Sequence, residues 1–216
     1  MKRIAAIFFA VFVLCISAFA LESDDGVWSY TENGDGVTLT AYNGSSADLY
    51  VPSSIKVDGE SVSVLALGES IFEDNDALNS VTLGAGIVEI GAKAFYDCDN
   101  FVCILLAEET TTVGEMAFAS CDNMNSVILL DSVTDIGADA FADCPNLTIW
   151  CDEDSAGHEY AEDNGIDYEL LSTSAMPETI TLDGVTYYIH KGKAVAIDYD
   201  NSATTVTIPA QVNGAP

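Results

Sequence analysis

The sequence predicts a repeat solenoid, mainly β, with short turns and 3-10 segments, small β modules on either side and one capping helix. Three observations predict it. Glycines recur at Gly68, Gly91, Gly114 and Gly137, and phenylalanines at Phe72, Phe95, Phe118 and Phe141, each 23 residues after the last. Between them, Leu78-Asn79-Ser80-Val81-Thr82-Leu83 has the L-x-x-V-x-L spacing of a short strand with one face in a core. The third is a contradiction in composition. The 216 residues are 49% hydrophobic, yet carry 35 acidic against 6 basic side chains and a formal net charge of -29. A packed core must therefore coexist with a polyanionic surface.

That balance excludes several functions. Nucleic-acid binding depends on Lys and Arg neutralising phosphates, and there is no basic patch to do so. Docking on an anionic membrane surface fails for the same reason.

Residues 1–20 read as an export signal. Met1-Lys2-Arg3 is a short positive stretch, residues 4–17 are apolar, and Ala18-Phe19-Ala20 places small residues where a signal peptidase reads, giving cleavage after Ala20. The apolar run is short for a membrane span of about 20 residues, so no membrane insertion is expected once the signal is removed. Losing Lys2 and Arg3 leaves four basic residues against all 35 acids. Cys15 follows Phe12-Val13-Leu14 and lacks the small residue that precedes a lipid-accepting cysteine.

Residues 21–63 read as an N-terminal module of short strands separated by Gly/Asn turns: 27–30, 37–42 and 48–52. Residues 64–152 hold four repeats, the last partial. The 23-residue step also links Leu78, Phe101, Met124 and Leu147; Val81, Ile104, Val127 and Trp150; and Asn75, Cys98, Cys121 and Cys144. Stacking the strands in parallel builds a sheet along one wall. Ile87 and Ile90 supply a ridge on the opposite wall, Gly91 permits a tight turn, and Phe95 fills the core. The Asn/Cys column can turn inward and bond to backbone groups of the turns.

These motifs carry a resemblance. The unit I-G-A-K-A-F-Y-D-C-D-N-F, repeated as V-G-E-M-A-F-A-S-C-D-N-M and I-G-A-D-A-F-A-D-C-P-N-L, resembles the BspA-type class of leucine-rich repeats. Residues 153–171 resemble the helix and short strand that close such arrays. Ser155 can cap the helix, Glu159 suits its first turn, Tyr160 and Ala161 can face the core, and Asn164-Gly165 can stop it. The resemblance implies a leucine-rich repeat solenoid that adheres to host proteins or other cells.

Residues 172–216 read as the start of a second β module. Tyr199 stands to Tyr42 as Pro209 stands to Pro52, at one offset of 157. An array should follow such a module, so the chain reads as truncated at Pro216. The alternative is a hairpin set that serves as a C-terminal cap.

Chemistry has little support. There is no G-x-S-x-G, H-E-x-x-H or phosphate-cradling glycine loop, and the chain is read as a non-enzyme without a cofactor. Cys98, Cys121 and Cys144 are read as buried structural thiols whose side chains point the same way, poor geometry for disulfides. His158 and His190 are too far from any thiol to suggest zinc. Asp97, Asp99 and Asp122 lie in acidic turns that are weak calcium candidates, without EF-hand spacing. A solvated acidic edge is the stronger reading.

Binding is expected on the sheet face between the inward columns, at Asn79, Thr82, Leu105, Asn125, Ile128 and Cys151. The column Thr82, Leu105, Ile128, Cys151 is apolar in its middle, as interaction surfaces often are. The partner expected is an extracellular or host protein. Two other readings stand beside this one: a passive spacer in a longer surface protein, and an accessory region of a secreted enzyme.

Overall fold

In a computed structural model of the chain, the described residues are 21–171 and the strands 178–182, 185–190 and 193–199. The signal expected over 1–20 and the segment 200–216, with Pro209, lie outside them. In chain order the elements are β1 (Leu21–Glu22), β2 (Trp28–Asn33), β3 (Gly36–Tyr42), β4 (Asp48–Val51), β5 (Ser54–Val57), β6 (Glu60–Leu67), β7 (Ser80–Leu83), β8 (Glu89–Ile90), β9 (Cys103–Leu105), β10 (Thr112–Val113), β11 (Ser126–Leu129), β12 (Asp135–Ile136) and β13 (Thr148–Cys151). Helix α1 (Ala156–Asn164) follows, then β14 (Asp167–Leu170), β15 (Glu178–Leu182), β16 (Val185–His190) and β17 (Lys193–Tyr199).

The array is a mostly β solenoid with two walls. One wall runs β3-β6-β8-β10-β12 in parallel, extended beyond β3 by antiparallel β2 and β1. The other, of six parallel strands, runs β4-β7-β9-β11-β13-β14. The N-terminal strands continue both walls. Because β3 pairs with β6 and β4 with β7, residues 36–51 form the first coil.

The phenylalanine column is the spine of the core. Neighbouring rings Phe72, Phe95, Phe118 and Phe141 stack at 4.9, 5.0 and 5.2 Å between centroids. All four are at most 2% exposed. Burying each ring stabilises by roughly 1.5–3 kcal/mol, and stacked pairs add about 0.5–1.5 kcal/mol. Trp28 and Tyr42 close the stack at Phe72, and Tyr160 closes it edge-on at Phe141.

Glycine recurs for a reason other than the tight turn its sequence position suggests. Left-handed backbone in each coil falls on Lys93, Met116 and Asp139, and again on Asp97, Ser120 and Asp143. The repeated glycines sit where successive coils touch. A Cβ on Gly91 would lie 2.7 Å from the carbonyl carbon of Gly68, and one on Gly114 would lie 2.5 Å from the nitrogen of Ala92. Such contact lets Gly91 N–H donate to Leu67 O and Gly114 N–H to Ile90 O, both at 2.8 Å.

The turns carry their own ladder, and it has a direction. Phe72, Phe95 and Phe118 each donate a backbone N–H to Ala94, Ala117 and Ala140 of the next coil, at 2.7 to 2.8 Å. At the last coil, Phe141 N–H donates to the Tyr160 hydroxyl of α1 at 3.2 Å. Ser155 caps that helix, accepting from His158 N–H, and left-handed Gly165 ends it.

One coil breaks the period. Val81, Ile104 and Val127 pair in register at a 23-residue step. Val127, however, pairs with Ile149, only 22 residues on, so Ile128 pairs with Trp150 and Leu129 with Cys151. The missing residue lies between Leu147, still in its column, and Ile149. Since strand side chains alternate, this shift exchanges the two faces of β13.

Candidate functional site

The register fixes which side chains face away from the core on the six-stranded wall. One row is Asp48, Ser80, Cys103, Ser126, Thr148 and Asp167. The other is Tyr50, Thr82, Leu105, Ile128, Trp150 and Glu169. The second row runs from an aromatic residue through aliphatic ones to another aromatic, with an acid at the end.

The expected binding residues fare differently. Thr82 and Ile128 lie on this face but are half-buried rather than exposed. Asn79 is exposed and donates to Asp48 Oδ1 at 2.7 Å, with Ser80 Oγ on the same oxygen. Asn125 accepts from Ser126 Oγ at 3.1 Å. Cys151 must be corrected: it pairs with Leu129, is fully buried in the core, and Trp150 takes its place on the face. Ile149 likewise turns inward. Leu105 does face outward, but is only 8% exposed, as is Trp150. A pocket of about 300 Å³ opens at the C-terminal ends of β4, β7 and β9, between Tyr50, Thr82, Leu105, Ala107 and the acids Glu108 and Glu109. Glu109 also accepts from Gly86 N–H.

The thiol column is a hydrogen-bond ladder. Cys98, Cys121 and Cys144 donate from Sγ to the carbonyls of Phe72, Phe95 and Phe118 at 3.0 to 3.1 Å. Burial pushes the Cys98 and Cys151 thiols up to about 11. A hydrogen bond shared with Cys144, and then burial, raise Cys121. None of the five described cysteines is joined to another. Thiols raised this way are poor nucleophiles; Cys144 is shifted the other way, lowered chiefly by the hydrogen bond it shares with Cys121.

The acidic edge runs beside the thiols. Asp76, Asp99 and Asp122 repeat along it, and Asp76 above all, then desolvation and Asp122, raise the carboxyl of Asp99. Among the described residues no group of side chains is arranged to hold a metal, the calcium candidates Asp97, Asp99 and Asp122 included. The sequence reading passed over what ties this edge together. Asn100, Asn123 and Asn146 donate from Nδ2 to the carbonyls of Asp76, Asp99 and Asp122 at 2.7 to 2.9 Å. Their own strict 23-residue step was the available signal.

Residues 53–151 match the model of the BspA type leucine rich repeat region in six copies. The repeat array over these residues is a leucine-rich repeat region of the BspA type. Its fold is shared with bacterial leucine-rich repeat proteins of known structure. One from Bacteroides ovatus is 19% identical with a TM-score of 0.51, over 63% of this chain and 38% of its own. Another, from Bacteroides capillosus, is 24% identical with a TM-score of 0.51, over 59% of this chain and 96% of its own. The BspA-type chain thus spans well under half the length of the first of these relatives. No curated protein matches it in sequence.

Proposed function

We propose that this BspA-type repeat protein is an exported, non-catalytic scaffold that binds other proteins through the outward face of its six-stranded wall. The row Tyr50, Thr82, Leu105, Ile128 and Trp150 carries the reading. It places two aromatic and two aliphatic side chains in one line on a rigid sheet. Aromatic residues supply much of the energy at protein interfaces. The export signal read over 1–20 supports a location at the cell surface or outside the cell, and a protein partner there fits the adhesion role that the family implies. The non-catalytic reading rests on side chains. His158 accepts from Asp154 N–H and sits 3.6 Å from Glu162, in the closing helix and away from the face.

Beads coated with the protein and presented to extracellular-matrix proteins or whole cells test the reading. Tyr50→Ser with Ile128→Asp should remove at least nine-tenths of the adherence while the unfolding midpoint changes little. Leu105 is unsuited to this test, because an aspartate at an 8% exposed site would bury a charge. Equal adherence by the double variant would support the passive spacer instead.

A further inference from the structure

The outward face is partly covered. Leu105 and Trp150 point away from the core, yet each is only 8% exposed, whereas Thr82 and Ile128 in the same row are half-buried. Over Leu105 the cover comes from within the chain, because strand β17 lies against β9, the strand that carries it. The strands β15, β16 and β17 form one antiparallel sheet, so β15 and β16 are tied to the contact that β17 makes. In sequence, Lys191 and Lys193, two of the chain's six basic residues, border β17, whereas the array is acidic, with Glu108 and Glu109 exposed just beyond β9.

We propose that the outward face of the six-stranded wall is an intramolecular docking surface whose resident occupant is the β15–β17 module. By sequence, β17 is the counterpart of β3, the strand that starts the first array. An array of this kind therefore receives, on its side, the opening strands of the unit that follows it. An external protein bound at this face must displace the module or share the surface with it. The inference goes beyond the binding reading, and it holds or fails whether or not an external partner exists.

Photo-crosslinking of the full chain alone tests it. With p-benzoylphenylalanine in place of Ile128, irradiation should give a product of monomer mass in which position 128 is joined to a residue within 178–199. The same group in place of Ser126 should give the same linked segment, which guards against local damage at position 128. In place of the exposed Glu32 of β2, it should give less than one-tenth of that product. No link to 178–199 from either face position would overturn the proposal. So would links confined to dimers, which would make a second copy the occupant.

Discussion

Gly114 lies where two coils come closest, and a methyl group there would meet the backbone of Gly91 and Ala92 with no side chain able to yield. Gly114→Ala should therefore cost about 1–3 kcal/mol by overpacking, read as a lower urea midpoint. Gly86 makes the contrast: a Cβ there meets nothing within 4 Å, and its φ of 86° charges only the left-handed backbone penalty of about 1–2 kcal/mol. Asp99 is strained by charge instead. Its carboxyl is raised above the ordinary aspartate range, chiefly by Asp76, so ionisation is disfavoured in the folded chain relative to the unfolded one. The penalty is present above the folded pKa and fades as pH falls through it towards the unfolded value. Asp99→Asn should thus raise the melting temperature at pH 7 in low salt. The gain should shrink at pH 4 and in 0.5 M NaCl, where screening replaces the substitution.

Each coil is an incomplete element, since the N–H groups of Phe72, Phe95 and Phe118 find their acceptors only in the coil that follows. Helix α1 ends the series because the Tyr160 hydroxyl stands where the next carbonyl would be and its ring closes the phenylalanine stack. Tyr160→Phe keeps the ring but leaves the Phe141 N–H without its acceptor. The expected cost is about 1–2 kcal/mol, with faster amide exchange at Phe141 and little change at Phe95. If exchange at the two sites rose together, the hydroxyl would not be acting as a local terminator. Much of this was legible in the sequence: the period named the coils, and Ser155 and Asn164-Gly165 marked the helix limits. The coil ending in β13 was not. A strict 23-residue count carries Cys151 to the outer face, because column alignment cannot see one lost residue between two anchors that both look apolar. Nor could it show that a strand more than 80 residues further on would cover Leu105, a tertiary contact without a local signature.

Across the whole molecule the charge has a shape. The acids of the turns gather along one edge, held by backbone and asparagine bonds that fix the carboxylates at repeat spacing. Such an edge repels itself, so the melting temperature at pH 7 should rise with added NaCl. Calcium and magnesium chlorides at equal concentration should raise it equally, by screening alone. A larger rise with calcium would show that Asp97, Asp99 and Asp122 do assemble a site. The ladder of turn hydrogen bonds has a further consequence. The turn donors at the phenylalanine column all point forward, so along this ladder the array resembles a polymer with a fixed polarity: Trp28 and Tyr42 act as initiator, each 23-residue coil as monomer, and Tyr160 as chain stopper. Copying or deleting one interior monomer leaves both end groups chemically satisfied. Length is thus a variable that gene duplication can change without redesigning either end.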